Sequence, residues 1–142
     1  MFHSVKIINA YQIEGIQLRE NDMIEVLSES ERNILILRAV GKLTDQDYKN
    51  VLIPRLESII RKQGKARLLL DMGDEFHGWE GAAMWDDFRF GMAHRNDFEK
   101  VGVIGGPRWV AWCMKLGALL MSGEVRNFAA SERDEAFTWI KA

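Results

Sequence analysis

From residue 23 onward, apolar and polar positions fall into short runs separated by turn residues. Ile24-Glu25-Val26 and the longer run Asn33-Ile34-Leu35-Ile36-Leu37-Arg38-Ala39-Val40 predict two strands joined by the polar turn 28–32. The second run is apolar almost throughout, as in a strand covered on both faces. Thr44-Asp45-Gln46-Asp47 has the spacing of a capping box, in which the threonine accepts from a free backbone N–H. The helix it opens repeats Tyr48, Val51, Leu52, Leu56, Ile59 and Ile60 and stops at Gly64. Pro54 lies inside it without the N–H that a helix interior needs, so a kink or break is expected near Ile53.

Arg67-Leu68-Leu69-Leu70-Asp71-Met72 predicts a third, buried strand, followed by a loop at 73–78 and a helix from Trp79 to about His94. Val101-Gly102-Val103-Ile104 is the fourth strand. Gly105-Gly106 then turns the chain, and Pro107 takes the first position of a helix reaching about Met121. Residues 125–129 form the fifth strand, and Ser131-Glu132-Arg133-Asp134 opens a last helix carrying Ala136, Phe137 and Ile140. The order β-β-α-β-α-β-α-β-α predicts one α/β domain: a mixed, mostly parallel five-stranded sheet flanked by four helices. Residues 1–22 show no sustained period and end in Arg19-Glu20-Asn21-Asp22. They are read as an N-terminal appendage to a domain at 23–142, either an element packed on it or leader sequence ahead of Met23.

Composition narrows the classes. With 142 residues, 47% of them hydrophobic and 28% charged, the chain is an ordinary single globular domain. Lys plus Arg is 19 against Asp plus Glu 21, so no general attraction to nucleic acid follows, and none is expected as a partner. The single cysteine, Cys113, excludes a disulfide framework and a cysteine zinc site. No run approaches the roughly 20 apolar residues of a membrane-spanning helix. Asn9, Tyr11, Gln12 and Glu14 interrupt any signal-peptide core, so a cytoplasmic location is expected.

Several stretches carry a family resemblance: Met23-Ile24-Glu25-Val26-Leu27, Val51-Leu52-Ile53-Pro54, and Phe76-His77-Gly78-Trp79 leading into Ala83-Met84-Trp85-Asp86-Asp87. His94-Arg95-Asn96-Asp97-Phe98-Glu99-Lys100-Val101, Trp109 and Gly123-Glu124-Val125-Arg126-Asn127-Phe128 follow in order. Together they resemble the STAS fold, and within it the SpoIIAA-like branch of small free-standing bacterial proteins. The resemblance spans 23–142 and implies a binding or regulatory module, not an enzyme. The branch is also similar in architecture to CRAL-TRIO lipid-transfer domains. Antagonists of anti-sigma factors carry a phosphorylatable hydroxyl after the third strand, yet here no Ser, Thr or Tyr occurs from Ile59 to Met121. The phosphoswitch therefore does not carry over.

Polar candidates are few. Asp71, Asp74, Glu75 and His77 cluster after a strand's carboxyl end, where open α/β sheets place ligands, but their spacing fits no metal loop. His94 and Asp97 form a base-like pair at a helix end, with no nucleophile adjacent in sequence. Gly105-Gly106-Pro107 is read as a tight turn, and Cys113, among Trp112, Met114 and Leu116, as a buried inert thiol. No metal, cofactor or catalytic set is implied.

The strongest signal is apolar. Four of the five tryptophans, 79, 85, 109 and 112, fall in the helices predicted at 79–94 and 107–121. Trp109, Trp112, Cys113, Leu116 and Leu120 share one helical face, read as the core face, which leaves Val110, Met114 and Met121 unexplained at other angles. An apolar or lipid-like ligand held between these helices is the expected function, with transient contact to a membrane surface. Phe76, Trp79, Trp85, Phe88, Trp109, Trp112 and Met114 are the expected lining, and Asp71, His77 and Lys115 the polar anchors. The alternative is a protein-interaction module, anti-sigma-factor-antagonist-like or homodimerising, that uses the same surface.

Overall fold

The alternating pattern resolves into one six-stranded sheet in the computed structural model, which describes residues 4–6, 24–27, 30–79 and 89–142. The strands lie side by side in chain order: β1 (Ser4–Lys6), β2 (Ile24–Leu27), β3 (Ile34–Leu43), β4 (Ala66–Trp79), β5 (Phe98–Gly105) and β6 (Glu124–Phe128). β1, β2 and β3 pair antiparallel, and β3 through β6 run parallel. All five predicted strands form. Ser4–Lys6 adds a sixth at the edge by pairing with Leu27, Val26 and Glu25.

The loop expected at 73–78 is strand instead. β3 runs on to Leu43 and offers ladder partners, so β4 continues beside it through Gly41↔Phe76, Lys42↔Gly78 and Leu43↔Trp79. β4 spends more residues than β3 over this stretch, and bulges absorb the excess. A polar, glycine-flanked bulged strand has the composition of a loop. Trp79 thus belongs to β4 and not to the following helix, of which residues 89–93 are described as helical.

Between β3 and β4, α1 (Asp45–Asp47) leads through a π-helical turn (Tyr48–Leu52) into α2 (Ile53–Gln63). The capping box is present. The Thr44 N–H donates to Asp47 Oδ2 at 2.9 Å, and the Asp47 N–H donates to Thr44 Oγ1 at 3.2 Å. The Ile53 N–H reaches back five residues to the Tyr48 carbonyl. Pro54 has no N–H for the carbonyl four residues back, and the widened turn before it relieves the clash with its ring. This is the break expected at Ile53.

Strand alternation sorts the core into two layers. Leu35, Leu37, Ala39, Ala66, Leu70, Met72 and Val103 face one side, packed against Tyr48, Val51, Leu52, Leu56 and Val110. Val110 belongs to α3 (Arg108–Leu120), the crossover from β5 to β6. Successive one-place, right-handed crossovers put α1, α2, the 89–93 helix and α3 on this same side. Ile36, Leu69, Ile104 and Phe128 face the other side, under Ala136 and Ile140 of α4 (Arg133–Lys141). Arg67 Nη1 and Lys100 Nζ donate to the Ile140 and Trp139 carbonyls at 2.9 and 2.7 Å, capping the last turn of α4.

Candidate functional site

Gly105 and Gly106, at φ 73° and 89°, swing the chain from β5 over the sheet into α3. A Cβ at Gly105 would meet the Met72 carbonyl oxygen at 2.8 Å, so the turn needs both freedom and closeness. Pro107 sits at the N-cap, one place earlier than expected, and supplies no side-chain cap.

α3 packs on the sheet by the face that looked secondary in the sequence. Val110 is buried, and Met114 and Met121 are half-buried against the core. With Gly117 they form an inner line at spacings of four, three and four. The described side chains of the face read as core point outward: Trp112 is 64% exposed, Leu116 45% and Leu120 49%, and Leu119 beside them is 82% exposed. Cys113 is exposed too, so the buried thiol expected there is corrected. The reversal has a physical cause. α3 carries apolar side chains on both faces, and only Arg108 and Lys115, beside Trp112 at helical spacing, mark the outer one.

The chirality of the β5–α3–β6 crossover fixes where the outer stripe looks. Leu119 and Trp112 point away from the sheet, while Leu116, Leu120 and Cys113 lie on the flank nearer the 89–93 helix. The two helices are tied at one end, where the Ser122 N–H and Oγ donate to the Arg95 carbonyl at 3.1 and 3.3 Å. Phe90 joins Met114 and Met121 at the margin of the same core. Phe76, His77 and Trp79 lie on the stretch of β4 that runs past the end of β5, which stops at Gly105 opposite Met72. Trp109 is in the first turn of α3. The side chains of these four are outside the described residues, as are Trp85 and Phe88 entirely.

Asp71 has a different setting from an open anchor. It is fully buried, and Arg133 grips it from α4: Nε donates to Oδ2 at 2.9 Å and Nη2 to Oδ1 at 2.8 Å. Arg38, its register partner on β3, stands 3.7 Å from Oδ2 and 4.0 Å from Glu25 on β2. A row of alternating charge thus crosses three strands on the α4 side. The sequence reading missed both arginines. The available signals were an arginine midway in an apolar strand and another in a helix's first turn, where the dipole disfavours it.

His94 Nδ1 and Asp97 Oδ2 are 2.8 Å apart, and the ring lies tilted against Phe90 with centroids 4.4 Å apart. Asp97 also accepts the Ala66 N–H through its carbonyl, so the pair clasps the helix end to the start of β4. Lys115 is exposed on α3. Among the described residues, no three His, Cys, Asp or Glu side chains gather as a metal site, and no helix is long and apolar enough to cross a membrane.

A mixed sheet with an antiparallel start, parallel continuation and helices on both sides defines a STAS-like α/β domain, a fold of regulatory and interaction modules. The chain belongs to the SpoIIAA-like family, whose model matches residues 34–141. It is similar to the crystal structure of an uncharacterised protein with a SpoIIAA-like fold from Shewanella loihica, at 26% identity and a TM-score of 0.65. That match covers 87% of this chain and 98% of the other. No curated protein matches.

Proposed function

We propose that this protein is a non-enzymatic, cytoplasmic binding module that holds an apolar or amphipathic, lipid-like small molecule on the outer stripe of α3. The ligand lies on the flank between α3 and the helix that contains 89–93. The contiguity of Trp112, Leu116, Leu119 and Leu120 on the surface carries this reading. Single exposed leucines are ordinary, but four large apolar side chains on adjacent turns mark a surface built to be covered. Covering a few hundred Å² of it at about 25 cal/mol per Å² stabilises a complex by several kcal/mol before ordering costs.

The attachment of α3 suits uptake of a ligand. Among the described residues, its side chains that pack on the core are Val110, Met114 and Met121, its N-cap makes no side-chain hydrogen bond, and a Cβ at Gly117 would meet nothing within 4 Å. In this reading Phe76, Trp79, Trp85, Phe88 and Trp109 complete the lining, with His77 and Lys115 as polar anchors. Asp71 is left out because Arg133 holds it. Membership of the SpoIIAA-like family favours one second reading, a protein partner or second copy on the same face.

Native mass spectrometry separates the two. Protein stripped by solvent extraction and mixed with palmitate is expected to appear as a one-to-one adduct. No adduct, together with a dimer that dissociates on dilution, would replace this reading with the second.

A further inference from the structure

We infer that the outer edge of β6 pairs with β6 of a second copy, antiparallel about a two-fold axis at Val125, so that two sheets become one. This surface is separate from the outer stripe of α3, and the inference does not depend on the ligand reading. β6 is the last strand of the sheet and bonds to β5 on one side. Among the described residues no strand meets its other edge, and Glu124, Arg126 and Asn127 are exposed. An unpaired edge offers a row of backbone N–H and C=O groups to another chain.

The side chains select the partner and the register. A two-fold axis perpendicular to the sheet sets only residues of one face opposite each other, so the register centres on a single residue. Centred on Glu124 or on Arg126, that residue would oppose its own copy, like charge against like. Centred on Val125, Glu124 of each copy opposes Arg126 of the other, and the two valines meet on the opposite face. Arg126 is already held in place on the α4 side. Its Cζ lies 4.5 Å from the Phe128 ring centroid and 5.7 Å from that of Trp139, with Glu135 3.4 Å from Nη2. A guanidinium fixed in this way loses little freedom on pairing. Glu124 makes no ion pair among the described residues. Charges on an edge strand discourage indiscriminate pairing, and these two also favour one register. The same axis keeps both α3 helices on one side of the joined sheet, with both outer stripes open. Strands of five residues make the dimer weak.

The test is sedimentation velocity of the full chain over a range of concentrations. The wild type is expected to form a dimer that dissociates on dilution. Glu124→Lys makes the edge wholly cationic and Arg126→Glu makes it wholly acidic, so each alone is expected to weaken the dimer at least about tenfold. Mixed together, the two variants are expected to pair with each other, because every cross-strand charge again meets its opposite. Leu119→Glu, on α3, is expected to leave the dimer unchanged. Thermal melting checks that these exposed substitutions leave the fold intact. Hydrogen exchange of the wild type needs no substitution: amides of 124–128 are expected to gain protection with concentration, and those of 108–121 are not. A wild type that stays monomeric at every concentration would overturn the inference. So would a dimer indifferent to Glu124→Lys, or one lost with Leu119→Glu, since the interface would then lie elsewhere. Two variants that fail to pair would overturn the register.

Discussion

Arg133 holds Asp71 by two parallel hydrogen bonds, of 2.9 and 2.8 Å, across 62 positions of sequence. The pair joins the first turn of α4 to the middle of the sheet. An arginine at a helix N-terminus is disfavoured by the dipole, and a fully buried carboxylate is costly by itself, so each offsets the other's penalty. With Arg67 and Lys100 capping the last turn, α4 is fastened at both ends. On the opposite face, the N-cap of α3, Pro107, makes no side-chain hydrogen bond.

Arg133→Ala leaves Asp71 buried with only the more distant Arg38. We expect a loss of about 2–4 kcal/mol of unfolding free energy, read from urea denaturation. A loss under about 0.5 kcal/mol would mean that α4 is held by its apolar contacts alone.

Two glycines should respond in opposite directions. A Cβ at Gly102 would fall 2.8 Å from the Trp139 ring and 2.9 Å from Leu69 Cδ1, so Gly102→Ala should displace the indole and cost about 1–3 kcal/mol. Among the described residues a Cβ at Gly117 meets nothing within 4 Å, so Gly117→Ala should stabilise α3 by about 0.5–1 kcal/mol. Urea midpoints that move the same way for both would contradict the packing described.

The carboxyl of Glu99 is held below its ordinary range, first by the side-chain hydrogen bond from Arg67 and further by Arg67 charge, Asn33 and Lys65, against the opposing effect of burial. Its folded value is therefore below the unfolded one. Its stabilising contribution is present above the unfolded value and lost as pH falls through the folded one. The melting temperature of the wild type should exceed that of Glu99→Gln at neutral pH, and the gap should close below pH 4 or so. A gap that widens on acidification would reverse the sign of this argument.

The sequence made the sheet legible because its strands are short apolar runs punctuated by glycine, and the Thr44–Asp47 box and Pro54 marked their helix by local chemistry. β4 beyond Met72 was hidden because its ladder depends on the length of β3, a partner 30 and more residues away. The inner face of α3 was hidden for another reason. Both of its faces are apolar, and only Arg108 and Lys115, which flank the Trp112 side, distinguish the outer face from the one that carries Met114. The pairing of Asp71 with Arg133 is long-range: an acid in an apolar strand and an arginine at a helix start each stood out, but nothing local joined them across 62 positions.

The most direct test of the account is hydrogen exchange across α3, with and without palmitate. Amides of 108–121 are expected to be weakly protected in the extracted protein and to gain protection with ligand, while those of α4 stay unchanged. High protection in α3 from the outset, unaltered by palmitate, would contradict the claim that its outer stripe is a ligand surface.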